Sequence, residues 1–177
     1  MTLLPGRGRT SVSEARASSA GSAGPRSGGL YGTVLVLAVI TTLTHGYDHT
    51  EVAVVLSAVV VTTIVFWIVH VYADTLVERV SSPERRWREI AAEHARHDVT
   101  IIEAAIPPAI PLVLGTVGVL SRETAVWAAI VLGLVDLFGW GVLLGRALGY
   151  GRSRTVVIGL LNVPIGAVMV ALKVLVH

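Results

Sequence analysis

The chain has 177 residues, 53% of them hydrophobic and 15% charged, with 14 Lys and Arg against 12 Asp and Glu. That balance lies outside the range of soluble globular domains and leaves room for about five membrane crossings of roughly 20 residues each, with no sizeable soluble domain. The lack of cysteine excludes disulfides, thiolate metal centres, iron–sulfur clusters and cysteine nucleophiles. The arginines cluster beside apolar segments, which reads as a topology signal and not as a nucleic-acid surface.

Residues 1–29 are rich in Ser, Gly, Ala and Arg and hold no apolar run long enough for a signal-peptide core, so they read as a disordered cytoplasmic tail. A single membrane domain is expected over 30–177. Its first span falls at 30–46 and its second at 52–74, each long and apolar enough to cross. In the polar stretch that follows, Ser82 before Pro83 is a good helix start and predicts a short helix over 82–97. Trp87, Ile90, Ala91 and His94 recur there on one face, with Arg85, Arg86, Arg88, Glu89 and Glu93 on the rest. The pattern fits a helix lying in the membrane interface, with Arg85, Arg86 and Arg88 against anionic lipid, and equally a solvated connecting helix.

A third span is expected at 99–120, kinked by Pro107, Pro108 and Pro111, then a tight turn at Ser121-Arg122-Glu123. The fourth span occupies 124–148, and the fifth, containing Pro164, occupies 155–176. Twelve of the 14 basic residues collect on one side if the number of spans is odd, leaving Arg122 and Lys173 opposite. Because basic residues favour the cytoplasmic side, the expected architecture is an all-α bundle of five transmembrane helices in a bacterial cytoplasmic membrane. The N-terminus lies in the cytoplasm and the C-terminus outside.

Ionisable groups within spans are costly and mark candidate functional sites. On the second span His70 and Asp74, four apart, share a helical face with Trp67 and Thr63. Glu103, about one turn into the third span, would reach a similar depth and approach His70. Pro107 and Pro108 have no N–H for the carbonyls of Glu103 and Ala104, so a carboxylate would stand beside freed backbone oxygens at a bend. The same prolines fit a plain packing kink. Asp136, mid-way along the fourth span, must pair, protonate or face water, and Asn162 on the fifth span is its expected partner. That pair suits either an ion path or interhelical glue. Gly141, Gly145 and Gly149 form a small-residue face for tight packing within the chain or between copies.

Two histidine patches, His45-Gly46-Tyr47-Asp48-His49-Thr50-Glu51 and Glu93-His94-Ala95-Arg96-His97-Asp98, carry metal-type ligands but no known spacing, so no metal is assigned. Signatures of serine hydrolases, P-loop proteins and zinc proteases are missing, no cofactor is implied, and an enzyme is the least favoured class.

The segments Phe66-Trp67-Ile68-Val69-His70-Val71-Tyr72-Ala73-Asp74 and Ala171-Leu172-Lys173-Val174-Leu175-Val176-His177 resemble an uncharacterised family of small multi-pass bacterial membrane proteins. The resemblance implies the architecture and a recurring motif containing His70 and Tyr72, and it implies no substrate or cofactor. From the residues, the expected function is a small homo-oligomeric channel or transporter for protons or a small cation, with His70, Asp74, Glu103, Asp136 and Asn162 along its path. The alternative is a non-transporting membrane subunit or scaffold whose polar residues hold helices together.

Overall fold

The computed structural model describes residues 24–44 and 51–175, and every regular element among them is helical. In chain order these are α1 Gly24–Thr44, α2 Val52–Ser81, α3 Trp87–His97, α4 Thr100–Glu103, α5 Ile106–Thr116, α6 Arg122–Ala147 and α7 Arg152–Leu175. By length and composition α2 and α6 are able to cross a membrane. A third crossing is present if the segment Trp87–Glu103 and α5, bent by 54° at a short break, count as one. Of the tail expected over 1–29, residues 1–23 lie outside the described residues, as does the patch around His45, Asp48 and His49, while Gly24–Gly29 are not a disordered tail but the first turns of α1.

The core forms where apolar stripes of α1, α2, α5 and α6 meet. On α1, Thr33, Val36, Leu37, Ile40 and Thr41 recur every three or four residues and are buried, the spacing of one helical face. The facing row on α6 is built at every fourth position from Ala125, Ala129, Gly133, Leu137, Gly141 and Gly145, all buried. Small residues in that row let the helices approach. A Cβ at Gly133 would stand 2.6 Å from Leu37 Cδ2, so Leu37 fills the space a side chain would need. Val55 and Val59 of α2 and Leu112 of α5 close the same core. The outer surface is also apolar, with Val61, Val65 and Val69 of α2, Val131 and Val135 of α6, and Leu160 and Leu161 of α7 exposed. Apolar surface on this scale seeks lipid or another protein.

Three expected boundaries are corrected. The second helix does not stop at 74 but runs to Ser81, because Leu76, Val77, Glu78 and Arg79 continue a helix readily and nothing breaks it before Pro83. Ser82 therefore ends α2, its N–H donating to the Glu78 carbonyl at 2.8 Å, and does not start the next helix. That helix, α3, begins at Trp87 behind Arg86. The expected third span is divided into α4 and α5 instead of being one kinked helix. With no N–H at Pro107 and Pro108, the helix stops at Glu103 and restarts at Ile106, so both prolines fall in a first turn, where a missing donor is cheap. Pro111 is buried inside α5, and Pro164 lies inside α7.

Gly149, expected to pack against a helix, instead ends α6 in a left-handed conformation with φ +71°, and open space surrounds the position of a Cβ. That conformation is the glycine's reason at this position. Gly141 and Gly145 do pack, and their neighbour is α7 of the same chain. A Cβ at Gly141 would meet Asn162 Nδ2 and the backbone of Ile158 and Gly159, and one at Gly145 would meet the backbone of Thr155 at 3.0 Å.

Candidate cation site

The middle of α2 carries Thr63, Trp67, His70 and Asp74 on one face, a stripe of about 16 Å at a rise of ~1.5 Å per residue. His70 Nε2 lies 3.8 Å from Asp74 Oδ2, and Phe66 stacks on the imidazole with ring centroids 5.9 Å apart. Thr63 is 2% exposed. Its hydroxyl has no hydrogen-bond partner among the described residues, unlike Thr41, Thr75 and Thr116, whose hydroxyls each donate to the carbonyl four residues back. The indole N–H of Trp67 is likewise buried and without a partner. Buried polar groups are nearly always hydrogen-bonded, so two buried donors without a protein partner in one stripe mark a place for water.

Asp98 completes the end of this stripe. It sits between α3 and α4, its N–H donating to the His94 carbonyl at 2.8 Å and its carbonyl accepting from Ile101 N–H at 3.0 Å. The residue is 4% exposed, and its Oδ2 has no hydrogen-bond partner among the described residues. One ring nitrogen of His70 and one carboxylate oxygen from each of Asp74 and Asp98 lie within 4.8 Å of one another.

Asp98 reaches α2 because α3 folds back along it. Ile90 is fully buried at that contact, and the rings of Tyr72 and Trp87 meet at 6.1 Å. Glu78 of α2 pairs with Arg85, and its other oxygen hydrogen-bonds His94 Nε2 at 2.8 Å. Arg85 also pairs with Glu93 at 2.7 Å, and Arg79 donates to the Arg85 carbonyl. The hydrogen bond from Arg85, and then its charge, hold the Glu93 carboxyl below the usual carboxylate range.

The carboxylate beside His70 is thus Asp98 and not Glu103, which α4 leaves exposed on the protein surface. Asp136 also finds partners other than the expected one. Its Oδ2 accepts from the Trp140 indole N–H at 3.0 Å and from the Thr33 hydroxyl. Thr33 lies within 3.0 Å of the Gly29 carbonyl as well, and the Trp140 ring covers Gly29, where a Cβ would clash at 2.2 Å. Asn162 instead donates to the Ile158 carbonyl at 3.3 Å, one turn back on its own helix. His70 and Asp74 are therefore brought together with each other and with Asp98, whereas Glu103, Asp136 and Asn162 are not joined to them.

The Thr33 contact has a chemical consequence. A hydroxyl has one proton and can accept as well as donate. An ionised Asp136 accepts from Thr33, and a neutral Asp136 donates to Thr33, which then donates to the Gly29 carbonyl. Both protonation states are accommodated without moving a side chain.

The sequence reading missed Thr33 and Trp140 as site residues, and it placed Asp98 in a histidine patch but not beside His70 and Asp74. Asp98 had a signal, a carboxylate among histidines at a helix end, but its partners lie on another helix. No known family, curated protein or solved structure matches the chain.

Proposed function

We propose that this chain is a small multi-pass membrane protein that conducts protons or a small cation, as an oligomeric channel or transporter. The observation that carries the reading is the stripe on α2, in which Thr63 Oγ1 and Trp67 Nε1 are buried without protein partners and lead to His70, Asp74 and Asp98. Water supplies the missing partners most simply, its oxygen accepting from the Trp67 indole N–H and the Thr63 hydroxyl, and water in the stripe would carry a proton or hydrate a small cation. Asp136, able to hold or release a proton in place, supports proton movement across the neighbouring interface between α1 and α6. Few short helices enclose little room for alternating access, so an oligomer forming a channel is favoured over a carrier.

In this reading five segments cross a bacterial cytoplasmic membrane, α4 and α5 together making the third, with the arginine-rich side in the cytoplasm. Arg86 and Arg88 are exposed for anionic lipid, while Arg85 is engaged by Glu78 and Glu93.

A second reading, a scaffold subunit without transport, is favoured by the same Asp136, since its bonds to Thr33 and Trp140 tie α1 to α6 as interhelical glue does. Flux into liposomes separates the two. Purified protein is expected to pass protons, sodium or potassium faster than empty vesicles under a voltage or pH gradient. Folded Thr63→Val, His70→Ala and Asp136→Asn variants should reduce that flux. No flux of any of these ions in wild type would leave the scaffold reading standing.

A further inference from the structure

Resting on the cation reading above, we propose that His70, Asp74 and Asp98 form a binding site for one divalent transition metal ion of the zinc or manganese class, joining α2 to the junction of α3 and α4. The cluster is more than a group of acids. Asp98 is 4% exposed and its Oδ2 is buried with no hydrogen-bond partner among the described residues. A desolvated carboxylate oxygen is costly unless it is paired or binds a metal. The titratable groups that face Asp98 include His70, Asp74, His97 and His94. Of the two more distant histidines, His94 is already bonded to Glu78.

The geometry suits a metal. With bonds of roughly 2.1 Å, a tetrahedral ion holds adjacent ligand atoms about 3.4 Å apart. His70 and Asp74 stand at 3.8 Å, and all three ligand atoms lie within 4.8 Å of one another, so a bound ion would draw them together by roughly 1 Å. Two carboxylates and a neutral imidazole balance a divalent charge and leave a coordination position open to water, as open zinc sites do. Imidazole favours transition metals over magnesium and calcium, which prefer all-oxygen shells. The absence of thiolates disfavours copper(I). Two ligands come from a rigid helix and the third from a helix junction, so the bound ion would clamp α3 against α2.

The test uses full-length protein without an affinity tag, stripped with a chelator and titrated with Zn2+, Mn2+ and Mg2+ in detergent by calorimetry. A background carrying His45→Ala and His49→Ala removes two further histidines as competing ligands. One Zn2+ or Mn2+ per chain is expected, at least about tenfold tighter than Mg2+. Asp98→Asn and His70→Gln, both near-isosteric, should each weaken binding at least about tenfold while circular dichroism and size-exclusion profiles stay those of wild type. No binding of either metal, equal affinity for Mg2+, or binding unchanged in both folded variants would overturn the site. Flux is measured separately: metal binding without flux keeps the site and removes the transport reading, and flux without metal binding does the reverse.

Discussion

Asp136 shows how a single residue can be read two ways until its neighbours are known. Its carboxyl is held by one hydroxyl and one indole N–H from two helices, so removing either donor leaves a half-buried group under-satisfied. Thr33→Val and Trp140→Phe are each expected to cost about 1–3 kcal/mol in denaturant unfolding in detergent. Wild-type stability in both variants would mean that Asp136 does not anchor the interface. Gly133 offers a steric counterpart, since its missing side chain is replaced by Leu37. Gly133→Leu should destabilise by about 1–3 kcal/mol through overpacking, and unchanged stability would contradict the contact between α1 and α6.

At the scale of elements, α3 is the helix whose position depends most on charge. It is held to the end of α2 by buried Ile90, by Trp87 against Tyr72, and by a network of Glu78, Arg79, Arg85, Glu93 and His94, with His97 close to Glu93. Glu93 has a depressed pKa. The contribution of its pairing is therefore complete above the ordinary glutamate value of about 4.3 and is lost as pH falls through the depressed value. Spin labels at Val80→Cys and Ala92→Cys are expected to report a fixed distance at neutral pH and a broader distribution once pH falls below that range. Glu93→Gln should loosen α3 already at neutral pH. A distance distribution identical in all these conditions would show that apolar contact alone holds α3. Part of the candidate site was legible here. The spacing of His70 and Asp74 on a helix is set by the chain itself, whereas Asp98 joins them only because α3 turns back, a contact between residues far apart in sequence.

Across the whole molecule, the central question is how many helices cross. The lack of native cysteine makes single-cysteine labelling clean. With five crossings, a membrane-impermeant maleimide should reach Glu51→Cys and Ser121→Cys from outside, and Glu84→Cys and Tyr150→Cys only after the membrane is opened. Labelling of positions 51 and 84 from the same side would remove α2 as a crossing, and with it the proposed path.

The sequence by itself determined that the described elements are helical and apolar and that the prolines after Glu103 disturb the third helical segment, because both depend on local hydrophobicity and backbone donors; that the disturbance is a full break, and that α6 already begins at Arg122 behind the Ser121 cap and not at 124, the structure decided. The sequence also marked Gly141 and Gly145 as places of close approach. Only the tertiary structure decided that their neighbour is α7, that Asp136 meets Thr33 and Trp140 and not Asn162, and that Asp98 stands beside His70. Side-chain partners on different helices follow from rotation about each helix axis and from the angle of each turn, and no local pattern encodes those quantities.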